Sequence, residues 1–334
     1  MQEISFFSMT IQRIVLMTEI SEVIESAKRS QAPDTPSQFM VPHCCHYNNS
    51  TEDFSCCFNI SSNKFHHLSQ LDAQGKRICG SSGGWLIIVG NNLEIFMLNP
   101  LTRAQIQLPS VSSFLDQADA SMQVLGKAST VLIHKAILVS NPAGNLEGYS
   151  VMVIYGDSRK LGFHKEGDHS WTSLQDAGSF YDDAVLCDKV LYAVNECGKV
   201  NAIRELGNSP VVEEMVPPWF FQGNKVYLVE LDEELYIVIR FLEQSPDFGY
   251  RTRNFKVYEV DFYVKLHDRI RGIGEWAIFL GHNQSASLST RRVEGLKENC
   301  IYFTDDNTDG YKDGIFGGHD TGVFHLDDGS IEPL

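Results

Sequence analysis

The strongest constraint on this chain is the length of its apolar runs, which break off after four to six residues. In residues 79–109, CGSSGGWLIIVGNNLEIFMLNPLTRAQIQLP, Gly83 and Gly84 open a tight entry to the apolar run Trp85–Val89. Gly90-Asn91-Asn92 turns the chain, Leu93–Leu98 makes a second run, Asn99-Pro100 breaks it, and Ala104–Leu108 supplies a third. Such runs have the length of strands, and Gly, Asn and Pro between them are turn formers. The stretch therefore predicts an antiparallel meander.

Similar units recur to the C-terminus. Phe54–Ile60 and Lys64–Leu68 are expected strands ahead of the meander. After it come Thr130–Ser140, Ser150–Tyr155, Leu161–Lys165 and Trp171–Leu174, then Asp183–Leu186, Val190–Val194, Lys199–Arg204 and Val211–Met215. A further unit holds Lys225–Leu231, Leu235–Phe241, Asn254–Phe262 and Glu275–Leu280; Asn299–Thr304, Gly322–Leu326 and Ser330–Leu334 follow. The units number about six, each of roughly 40 to 50 residues with three or four strands, which is the period of propeller blades. A single sandwich or barrel would need fewer strands. The expected fold is all-β, a kelch-like β-propeller of about six antiparallel blades. Helical spacing is confined to the N-terminal part, where Ile4, Phe7, Ile11, Ile14, Val15, Ile20, Val23 and Ile24 recur. The segment SQAPDTPSQ at 30–38 then reads as a linker. The predicted organisation is an N-terminal extension over 1–40, helical or disordered, and a β domain over 41–334.

Composition narrows the partners. The 27 basic and 43 acidic residues leave a net charge of −16, which repels phosphate backbones, and the longest basic cluster is Arg291-Arg292. Nucleic acid is not an expected partner. Glu3, Arg13 and Glu19 interrupt the apolar N-terminal stretch before it reaches membrane length, so no membrane association is expected. Eight cysteines without a secretory signal point to a reduced compartment, cytoplasm or nucleus.

Several stretches together resemble a plant family, the F-box-associated domain of unknown function 295, described as kelch-like. They are GSSGGWLIIV (80–89), LEIFMLNPLTRAQIQLPS (93–110), DDAVLCDKVLYAVNECGKV (182–200) and KVYLVELDEELYIVIRF (225–241). FKVYEVDF (255–262), IGEWAIFLGHNQSASLS (273–289), ENCIYFTDD (298–306) and GVFHLDDGSIEPL (322–334) continue the register. The resemblance implies a substrate-recognition propeller of an SCF ubiquitin ligase, whose F-box would dock the ligase adaptor. An F-box opens with a Trp- or Leu-Pro-containing helix start. Residues 1–40 hold no tryptophan, and their prolines, Pro33 and Pro36, lie in the linker. The resemblance thus covers the target-binding half, and an SCF adaptor is expected as a partner only if a cryptic F-box exists.

Chemical motifs are sparse. Asp305, Asn307, Asp309 and Gly310 match the start of a calcium loop, with Asp313 at the ninth position. Phe316 stands where the bidentate Glu belongs, so a polar hairpin loop is the preferred reading and no metal is assigned. Cys44-Cys45 and Cys56-Cys57, near His43, His46, His66 and His67, have zinc-type donors but not zinc spacing, since adjacent strand residues face opposite ways. No nucleophile motif or phosphate loop is present, and Asp182-Asp183 reads as a strand entry as readily as an acid pair. No cofactor and no enzymatic activity are expected. Pro217-Pro218-Trp219-Phe220-Phe221 sits between strand units, either packed between blades or exposed as an anchor. His282 and Asn283, in the loop after an apolar strand, are the other candidate contact residues. The expected function is binding of an unknown target protein. The alternative is an ion- or small-molecule-binding propeller, extending to an enzyme, that uses loop carboxylates.

Overall fold

Strands buried on one face alternate apolar and polar residues, whereas strands covered on both faces read as continuous apolar runs. Trp85–Val89 is buried at every position, and so are four consecutive residues of Lys225–Leu231. These sheets must therefore be stacked between neighbours. The computed structural model describes residues 55–59, 64–68, 77–82, 85–90, 94–99, 102–114, 133–140, 148–205, 210–247, 249–263, 266–293, 295–306 and 320–333. The expected N-terminal extension lies outside these residues.

The strands are β1 (Ser55–Asn59), β2 (Lys64–Leu68), β3 (Arg77–Ser82), β4 (Trp85–Val89), β5 (Ile95–Leu98) and β6 (Gln105–Leu108). Then come β7 (Ile133–Ser140), β8 (Ser150–Tyr155), β9 (Lys160–Lys165), β10 (Thr172–Ser173), β11 (Tyr181–Cys187), β12 (Val190–Asn195), β13 (Val200–Arg204) and β14 (Val211–Val216). The last are β15 (Lys225–Leu231), β16 (Glu234–Ser245), β17 (Gly249–Asp261), β18 (Leu266–Ile270), β19 (Trp276–Leu280), β20 (Ala286–Ser289), β21 (Cys300–Phe303), β22 (Gly322–His325) and β23 (Ile331–Pro333). They form four four-stranded antiparallel meanders, β3–β6, β7–β10, β11–β14 and β15–β18, besides the pair β1–β2. The remaining sheet has the order β20-β19-β21-β22-β23, with β21 parallel to β19. The helical segments among the described residues are short 3-10 turns. The molecule is a β-propeller, as its sequence predicts.

Apolar side chains fill the space between consecutive sheets. One cluster joins β3–β6 to β7–β10 through Ile87, Ile95, Ala136 and Val153. A second joins β7–β10 to β11–β14, and a third uses Val194, Val226, Leu228 and Ile237 between β11–β14 and β15–β18. In β15, Val226 and Leu228 face one neighbour while Tyr227 and Val229 face the next sheet. That two-sided placement follows from the period of two in a strand. Each buried Val, Leu or Ile contributes about 1.5–3 kcal/mol of transfer free energy.

Candidate functional site

The first strands of the four meanders and β20 line the molecular axis, and their polar residues link them in a circuit. Ser82 Oγ donates to the Leu138 carbonyl, joining β3 to β7. Lys135 on β7 is paired with Asp183 on β11. Asp182 and Asp183 accept from the Val226 and Leu228 amides at 3.1 and 3.0 Å, joining β11 to β15. Ser287 Oγ donates to the Glu230 carbonyl at 2.7 Å, joining β15 to β20. Ser81 Oγ donates to Gln284 Oε1 at 3.1 Å and returns the circuit to β3. Asp183 also accepts from Ser285 Oγ at 2.7 Å. Buried polar groups of this kind persist only when paired.

One end of the axis holds a dense charge cluster. Arg240 is 2% exposed and donates to Asp306 at 2.7 Å, to Asp320 at 2.8 Å and to the Thr304 carbonyl at 2.6 Å. Lys225 Nζ and the Tyr227 hydroxyl add further bonds to Asp306, at 2.7 and 2.8 Å. Burial works to raise the Asp306 carboxyl, but Lys225 and Arg240 outweigh it and hold it down at about 2. Asp182 behaves oppositely. Burial pushes its carboxyl up to about 6 against the pull of Arg159 and Lys225. The two neighbouring aspartates serve different partners, Asp182 with Arg159 and Asp183 with Lys135, so they do not share a proton as a catalytic dyad would.

Further along the axis is a pocket of about 220 Å³, lined by all five axial strands through Ser82, Ile137, Val185, Glu230 and Ser287, and by Gln284 beside β20. Two hairpin turns lie at the ends of its strands, Asp188-Lys189 after β11 and Asp232-Glu233 after β15. All four residues have positive φ, between 44° and 68°. That is the geometry of a two-residue turn matching the twist of its strands. Cys187 Sγ bonds the Glu233 carbonyl and holds the turns together.

Of the residues singled out in the sequence, Asp182 and Asp183 lie in the axial circuit, whereas Trp219, Phe220 and Phe221 do not. The inner strands β11 and β15 run side by side from Asp182/Val226 to Cys187/Glu233. Trp219 lies by the β12–β13 turn, beside the start of β11, and its amide donates to the Cys197 carbonyl. Its ring packs against Phe221 and Tyr258 at 5.1 and 5.0 Å, and a Cβ on Gly198 would sit 2.1 Å from its Nε1. Trp219 and Phe221 fill a seam between two sheets, whereas Phe220 is 88% exposed. His282 and Asn283 are buried. Asp305 is buried and accepts from the Tyr250 hydroxyl at 2.7 Å. Asn307, Asp309 and Asp313 lie outside the described residues.

The sequence reading passed over Lys135, Glu230, Arg240 and Asp320. A signal for Lys135 and Arg240 does exist in their positions: a cation inside LIHKAIL or LYIVIRF must find a buried partner. Nothing in the sequence says which carboxylate that is.

A family model described as KIB1-4 beta-propeller matches residues 57–325. In Arabidopsis thaliana, a putative F-box protein is 28% identical over 272 residues, covering 78% of this chain and 74% of the relative. The F-box/kelch-repeat protein KIB1 is 26% identical over 247 residues, covering 72% of this chain. The F-box protein SKIP23 is 24% identical over 291 residues, covering 75% of this chain and 70% of the relative. The matched region spans only 58% of the length of KIB1.

Proposed function

This chain belongs to the KIB1-4 beta-propeller family, and from that premise we propose that it is a non-catalytic, target-holding propeller of the F-box type. The observation that carries this reading is the family match over residues 57–325, together with the similarity of the chain to plant F-box proteins. A propeller presents loops on a rigid frame and gains its specificity from them. In a ubiquitin ligase the same surface would hold the substrate while an F-box docks the adaptor. Without adaptor binding, it would act as a free-standing binder or as a competitor that shields targets from related ligases.

The test is affinity purification of the tagged full chain from plant tissue, with adaptor and target identified together by mass spectrometry. A reproducible partner at near-stoichiometric yield is the expected result. Co-recovery of the adaptor, lost on deletion of residues 1–40, would assign a ligase subunit. A partner without adaptor would assign the free-standing role. No partner above the control, in tissue where the chain accumulates, overturns the reading.

A further inference from the structure

We propose that the axial pocket is where the target is gripped, and that it receives one basic side chain, a lysine or arginine, from that target. This rests on the target-holding reading above and specifies its chemistry. The pocket draws one strand from each of five sheets, so its walls are fixed by the whole frame rather than by a single loop. At about 220 Å³ it has room for an extended side chain and not for a folded element. The charged group lining it is Glu230; its other polar walls are neutral hydroxyl and amide groups from Ser82, Gln284 and Ser287.

Glu230 is half-buried, and its Oε1 accepts from the Glu233 amide at 2.7 Å. Its second carboxylate oxygen makes no hydrogen bond or ion pair among the described residues. A carboxylate held in place by one backbone donor and left open on the other side is pre-organised for a cation. The two turns at this end carry Asp188, Asp232 and Glu233, followed by Glu234, all exposed and offset by Lys189 alone. Arg291, three residues beyond the lining Leu288, is paired with Glu275 and so does not neutralise the pocket. Burial raises the Cys187 thiol to about 11, and the charges of Glu230, Asp188 and Glu233 add to that rise. A net charge of −16 extends the same preference over longer distance.

The experiment titrates the full chain with N-acetyl-arginine amide, N-acetyl-lysine amide, N-acetyl-norleucine amide and N-acetyl-glutamate amide, followed by ligand-observed NMR. Both basic probes are expected to bind and to compete with each other, while the neutral and acidic probes do not. Glu230→Gln should weaken the basic probes about tenfold or more, at an unchanged thermal midpoint. Phe220→Ala, at the other end of the molecule, should leave binding as it was. Where Glu230→Gln does not fold, Glu230→Asp, which withdraws the carboxylate by one methylene, serves instead. Equal binding of norleucine, no binding of either basic probe, or full affinity in the Glu230 variant overturns the proposal. A target captured equally by wild type and Glu230→Gln removes the pocket but keeps the target-holding reading. A wild type that captures nothing removes both.

Discussion

Arg240 is buried between the carboxylates of Asp306 and Asp320, and the acid limb of stability should report the cluster. Asp306 titrates at about 2 when folded against 3.8 in the free side chain. Between those values the native state binds fewer protons than the unfolded one. The contribution of Asp306 is therefore complete above about pH 4 and lost as pH falls toward 2, a difference of about 2 kcal/mol. Asp182 has the opposite sign. With a folded value of about 6, it keeps a proton that the unfolded chain has released, so stability declines as pH rises from about 4 to 6. Urea midpoints measured from pH 2 to 7 should show the first slope in wild type. Asp182→Asn should flatten the second. Asp306→Asn leaves Arg240 and Lys225 underpaired and should cost about 3–5 kcal/mol; a loss below 1 kcal/mol would mean the cluster is far wetter than its burial implies.

At the scale of elements, the linker between β14 and β15 separates packing from display. Trp219→Ala should cost about 3 kcal/mol by emptying the seam against Tyr258. Phe220→Ala should stay within about 0.5 kcal/mol of wild type. Thermal or urea unfolding of the two variants decides it, and similar losses would contradict the observed geometry. The β3–β7 seam is tighter still: a Cβ on Gly80 would sit 1.9 Å from the Ala136 carbonyl oxygen. Gly80→Ala should therefore cost about 3 kcal/mol by forcing the backbones apart. These elements differ in how far the sequence revealed them. β8 and β15 have the bounds their apolar runs predict. β3, RICGSS, and β20, ASLS, carry no such signal: both are rich in small and hydroxylated residues and, unlike the axial strand β15, neither contains an apolar run. β18, LHDRI, is an edge strand with a polar sequence and was equally hidden. The candidate site suffers for the same reason. Trp219 and His282 stand out by residue type, whereas Glu230 matters only because β3, β7, β11 and β20 surround it.

At the scale of the whole molecule, excess negative charge should govern how fast a partner arrives more than how long it stays. The association rate of a basic target should fall about tenfold or more from low to high salt, while dissociation changes little; stopped-flow mixing over a salt series measures both. A salt-independent association rate would argue that the acidic surface is for solubility alone. The axial circuit also has kinetic meaning. Its returning joint, Ser81 to Gln284, spans 203 positions of chain, whereas the other joints bring together strands adjacent in the succession of sheets. Closing so long a loop is entropically costly and characteristic of slow folders. Until that joint forms, the described sheets are an open arc with an uncovered sheet face at each end. The time the molecule spends as an arc, rather than its final stability, should set its tendency to associate with its own copies during synthesis.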